Sequence, residues 1–140
     1  MALLIGFALV ALLGAGHHFA LVSLRHVTLR ADARARPYQS IIPVFVGLVA
    51  IHLTEILAFA AAYAVLLSWH WTGALDGSDG GWHDLVYFSG INFTTLGHTR
   101  IEPEGPIRLI SMMQSLGGFM ILTWSATFIY TVWKRALEER

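Results

Sequence analysis

At 140 residues, 56% hydrophobic and only 13% charged, the chain is too apolar for a soluble domain of its size, and its composition points to a bilayer. The formal net charge is zero and the basic residues are scattered, which excludes the basic stripe of a nucleic-acid binder. The lack of cysteine removes disulfide frameworks, thiolate metal sites and cysteine nucleophiles.

In chain order, the first element is residues 2–24, an apolar run long enough to cross a hydrocarbon core, which takes about 20 helical residues. It lacks the basic leading segment and cleavage site of a signal peptide and runs into Arg25, so it is read as a spanning helix. Without repeated arginines, it is not expected to sense voltage. A basic loop with Arg25, Arg30, Arg34 and Arg36 completes a first unit over residues 1–40. Residues 41–69 form a second apolar span, and residues 106–133 a third. The tail, residues 134–140, carries Lys134, Arg135 and Arg140. Positively charged segments resist translocation, so loop and tail are expected on the cytoplasmic side, with the N-terminus and the connection over residues 70–105 outside. Trp69, Trp71, Trp82 and Trp133 fall at the expected interfaces, as an aromatic belt would.

Residues 72–81 (TGALDGSDGG) read as a plain Gly/Asp turn region. The next stretch, WHDLVYFSGINFTTLGHTRIEPEGP, opens with an apolar run too short to span and too hydrophobic for a solvated loop. Asp84 suits the start of a short helix. The run breaks at Thr94-Thr95-Leu96-Gly97, and Pro103, Gly105 and Pro106 lead into the last helix. A short helix that enters the membrane, followed by irregular backbone, is tolerated only where that backbone is buried in protein or faces water. One chain cannot enclose a water path, whereas several copies around an axis can.

Tyr87-Phe88-Ser89, then Phe93-Thr94-Thr95-Leu96-Gly97, Ile101 and Pro103, with Gly117-Gly118 about twenty residues after Gly97, resemble the pore region of two-transmembrane potassium channels. The resemblance implies an all-α membrane protein with three transmembrane helices, a re-entrant pore helix and a filter loop, assembling as a four-fold pore. It implies a channel domain over residues 41–133, made of an outer helix (41–69), a pore helix and filter (82–100) and an inner helix (106–133). The filter residues would be Thr94, Thr95, Leu96, Gly97, His98 and Thr99, with the strand itself at 95–99, a mouth at Arg100 and Glu102, and a gating hinge at Gly117 and Gly118. The bound species would be potassium or another monovalent cation, with no other cofactor required.

The usual filter pattern is Thr-Val-Gly-Tyr-Gly-Asp, and this chain has Thr95-Leu96-Gly97-His98-Thr99-Arg100. Leu96 and Gly97 are compatible with it, glycine permitting positive φ. Thr99 stands where the family has its second glycine, and a β-branched residue disfavours positive φ, which predicts fewer stacked ion sites and weaker selectivity. His98 replaces a bracing aromatic and titrates near neutral pH. Arg100 replaces an acid and opposes cation entry, against Asp76, Asp79, Asp84, Glu102 and Glu104, which would concentrate cations.

His17, His18, His52 and Glu55 fall within the first two spans, where an ionisable group costs about 2.5 kcal/mol or more unless paired. Three readings stay open for this cluster: hydrogen-bonded glue between helices, a divalent-metal site, and a proton sensor or relay. Ser111, Ser115, Gly118 and Ser125 recur at helical spacing on the third span, as a stripe facing a wet pore or as small-residue packing.

The sequence therefore points to a passive cation channel and not an enzyme, with no catalytic residues. Its partners would be the lipid bilayer and itself, as a homotetramer, with no nucleic acid and no small-molecule substrate. The expected location is a bacterial cytoplasmic membrane. The alternatives are a membrane metal-binding protein or metalloenzyme built on the His/Glu cluster, and a non-conducting channel-like subunit.

Overall fold

The computed structural model describes residues 1–30, 41–97 and 99–138. Arg34, Arg36, His98 and Arg140 lie outside them. The described chain folds as α1 (Ala2–Arg30), α2 (Ile41–Leu67), β1 (Ala74–Asp76), α3 (Trp82–Phe93), β2 (Glu102–Glu104) and α4 (Ile107–Glu138). Three of the helices, α1, α2 and α4, are long and apolar enough to cross a membrane. At 1.5 Å per residue the 27 residues of α2 reach about 40 Å, beyond the roughly 30 Å hydrocarbon core. The 12 residues of α3 reach only about 18 Å.

Apolar contacts fix the helix directions. At one end Leu21 and Leu24 of α1 pack with Val44 and Leu48 of α2 and with Phe128, Ile129 and Val132 of α4. Toward the other end Ala2 and Ile5 share a cluster with Phe59, Tyr63, Leu66, Ile107 and Ile110. So α1 runs parallel to α4, and α2 runs antiparallel to both. Arg25, Lys134 and Arg135 follow the same end of the bundle, as the sequence requires.

The connection at the opposite end is more ordered than its Gly/Asp composition suggests. The Thr72 hydroxyl donates to the carbonyls of Leu66 (2.6 Å) and Trp69 (2.7 Å), capping the end of α2. The Thr72 carbonyl in turn accepts from the Ile107 amide at 2.7 Å, tying α2 to the start of α4. Between these anchors β1 and β2 pair antiparallel, Leu75 opposite Pro103 and Asp76 opposite Glu102. A Cβ at Gly73, where φ is +100°, would collide with the Glu104 carbonyl, so only glycine lets the strands close here.

Helix α3 drops back between α2 and α4. Asp84 in its first turn accepts from the Asp79 amide (2.9 Å) and the Ser78 hydroxyl (3.0 Å), so this acid clamps the preceding turn. Phe88 meets Tyr63 of α2 edge-on with ring centroids 5.1 Å apart. A buried polar chain joins the three helices: Tyr63 donates to Gln114 Oε1 (2.7 Å), Gln114 Nε2 donates to Ser89 Oγ (2.8 Å), and Ser89 donates to the Ile56 carbonyl (2.8 Å). Inside a bilayer such groups must be satisfied by protein, and these are.

Candidate functional site

The lower end of α3 sets the first part of the site. The Thr95 amide donates to the Asn92 carbonyl (3.1 Å) and the Leu96 amide to the Ile91 carbonyl (3.2 Å), the two bonds of a Schellman helix stop. That motif needs a left-handed residue, and Thr95 supplies it at φ +58°, a place usually taken by glycine. Gly97 is also left-handed, at φ +68°. Thr94, Thr95, Leu96 and Gly97 are all exposed on the single chain.

This departs from the expected strand over 95–99, because Thr95 belongs to the helix stop. The hydroxyl of Thr99, where the filter pattern has its second glycine, accepts from the Ile101 amide at 3.0 Å. His98 lies outside the described residues. Arg100 is exposed, and so is Glu102, facing Asp76 across the strand pair.

Gly118 explains where α3 stops. A Cβ there would strike the Phe93 carbonyl, so glycine lets α4 touch the backbone at the end of α3. Gly118 lies about three turns, roughly 16 Å, into α4, which sets the end of α3 near half the depth of a hydrocarbon core. Gly117 faces α1, where a Cβ would meet Val10 Cγ1 at 2.6 Å. Helix α4 runs continuously through both glycines.

The second part of the site is the polar cluster at mid-span. The Glu55 carboxylate accepts from His17 Nδ1 through Oε1 (2.8 Å) and from His52 Nδ1 through Oε2 (2.9 Å). The two imidazoles lie nearly parallel, 8° apart, with centroids 5.6 Å apart. Ser125 Oγ of α4 sits 3.2 Å from His17 Nε2, donating to it when the ring is neutral. The His52 ring touches that of Phe93, the last residue of α3, at 5.6 Å, so the cluster sits directly behind the start of the irregular segment. His17, Glu55 and Ser125 are buried and His52 half-buried.

His18 is not brought into this group. It is exposed, and its ring meets Phe19 and Trp124. Neighbours on a helix point about 100° apart, so His17 and His18 cannot both face Glu55. On the third span Ser111 and Ser125 are each only 5% exposed and face the chain's own core, which favours small-residue packing over a pore-facing stripe at those two positions. Sequence reasoning missed Ser125 and Trp124 as partners of the histidines, and Gln114 as the centre of the buried chain. Contacts that distant in sequence leave no local pattern; a lone glutamine in an apolar span was the one available signal.

Residues 51–135 match the family described as "Ion channel". A stretch of 60 residues, 42% of the chain, is 30% identical to the uncharacterized membrane protein YdjJ of Bacillus subtilis (strain 168), and spans 18% of that protein's length. No solved structure is significantly similar to the chain.

Proposed function

Because the chain belongs to the ion-channel family of two-transmembrane, potassium-channel-like pores, we propose that it is the subunit of a homotetrameric cation channel in which potassium is the favoured ion. The observation that carries the reading is a 12-residue helix ending against Gly118, followed by non-helical residues 94–97 exposed on the single chain. Irregular backbone at membrane depth has to face water or protein. On one chain it faces neither, and four chains around an axis supply both.

In this reading Thr94 to Thr99, His98 included, line the ion path, and carbonyls replace the hydration shell. Asp76 and Glu102, paired across the strands and both exposed, form an acidic rim that offsets Arg100. Gly117 and Gly118 are close-packing positions through which α4 holds α1 and α3, so a bend there changes the seat of the filter. The basic end lies in the cytoplasm and Met1 outside, in a bacterial cytoplasmic membrane. The chain is a conduit and not a catalyst.

Ion flux into liposomes carrying purified protein tests this, comparing potassium, sodium and a large organic cation. Potassium flux above sodium is expected, and its loss in Gly97→Ala. Within its own chain an alanine Cβ at Gly97 meets nothing within 4 Å, and the φ of +68° by itself costs an alanine about 1–2 kcal/mol. Equal potassium and sodium flux would identify a non-selective pore. Absence of any flux would make the chain a non-conducting partner subunit.

A further inference from the structure

We propose that His17, His52 and Glu55 form a binding site for a divalent transition-metal ion of the zinc type, buried at mid-membrane and separate from the ion path. One atom from each residue lies within 4.8 Å of the others, and the two imidazole nitrogens are 2.8 and 2.9 Å from the carboxylate. A tetrahedral ion with bonds near 2.0–2.1 Å holds its ligands about 3.3 Å apart, so the three donors need only small side-chain adjustments to share one. The donor set of two imidazoles and a carboxylate suits zinc and its neighbours over calcium or magnesium, which prefer all-oxygen sites.

Two further observations point the same way. A metal-ligating histidine is oriented by a partner on its other ring nitrogen, and His17 has one: Ser125 Oγ, 3.2 Å from Nε2 and contributed by a third helix. With Nδ1 on the metal, the Nε2–H would donate to that hydroxyl. His17 and Glu55 also line a groove of about 500 Å³ between α1 and α2, in an otherwise largely apolar wall, which leaves space beside them for a fourth ligand.

Zinc titration of the full chain in nanodiscs, followed by calorimetry after chelator treatment, tests the site without requiring conduction. One ion per chain is expected, bound at least tenfold more weakly by His52→Ala and Glu55→Gln and unchanged in His18→Ala, whose ring faces Phe19 and Trp124. No stoichiometric uptake by the native chain, or uptake that His52→Ala and Glu55→Gln leave intact, would overturn the proposal. Cobalt guards against variants that misfold. An intense tetrahedral visible spectrum on the native chain supports the site, and the weak spectrum of hydrated cobalt overturns it.

Discussion

Thr95 holds a backbone conformation that a β-branched side chain disfavours, with φ at +58°. Such a residue costs of order 1–3 kcal/mol and persists only where its surroundings enforce it. Here they do, because Phe93 is pressed against Gly118 and the Schellman bonds close over Asn92 and Ile91. Thr95→Gly is expected to raise thermal stability in detergent by about 1 kcal/mol and, on the proposal that residues 94–99 line the ion path, to lower the potassium-to-sodium flux ratio through loss of the hydroxyl. A variant that is neither more stable nor less selective would show that Thr95 bears no strain and lines no ion path. Four residues later, where the filter pattern has its second glycine, the Thr99 hydroxyl accepts from the Ile101 amide.

At the scale of elements, the contact between α3 and α4 decides the depth at which residues 94–97 leave the helix. It has two supports: the bare backbone of Gly118 against Phe93, and the chain Tyr63–Gln114–Ser89–Ile56 that links α2, α3 and α4. Gly118→Ala forces a Cβ into a carbonyl, and overpacking of this kind costs about 1–3 kcal/mol. Gly117→Ala has side-chain atoms of Val10 as its nearest contacts, where Gly118→Ala meets backbone. Melting in detergent and flux together are therefore expected to show Gly118→Ala as the more damaging, with conduction lost before helicity. Equal effects would mean that the two glycines serve only as general packing positions.

For the whole molecule, the long helices bury little of themselves. Phe7, Leu12 and Phe19 of α1, Phe45, Val46 and Leu53 of α2, and Leu116, Phe119 and Met120 of α4 are all exposed. Lipid covers some of this surface, and in a four-fold assembly neighbouring chains cover the part beside residues 94–97. Native mass spectrometry of protein released from detergent is expected to give four chains. A monomer or dimer would be incompatible with the proposed four-fold ion path. Helix α1 lies outside the matched region, residues 51–135, yet it is integrated with α4 at Gly6–Met113, Val10–Gly117 and His17–Ser125.

The three spans, the short fourth helix and the shared side of the basic ends were all legible in the sequence. They follow from hydropathy, length and charge, which act locally and are written residue by residue. The helix starts and stops near Trp82, Phe93 and Ile107 were legible for the same reason, through Gly, Asp and Pro. The strand pair at the rim, the selection of His17 over His18, the burial of Ser125 and the left-handed Thr95 were decided only by tertiary structure. Each depends on which helix face meets which neighbour, and a nearly uniform apolar surface does not record that choice. It was fixed where glycines let backbones touch and where buried polar groups had no water to turn to.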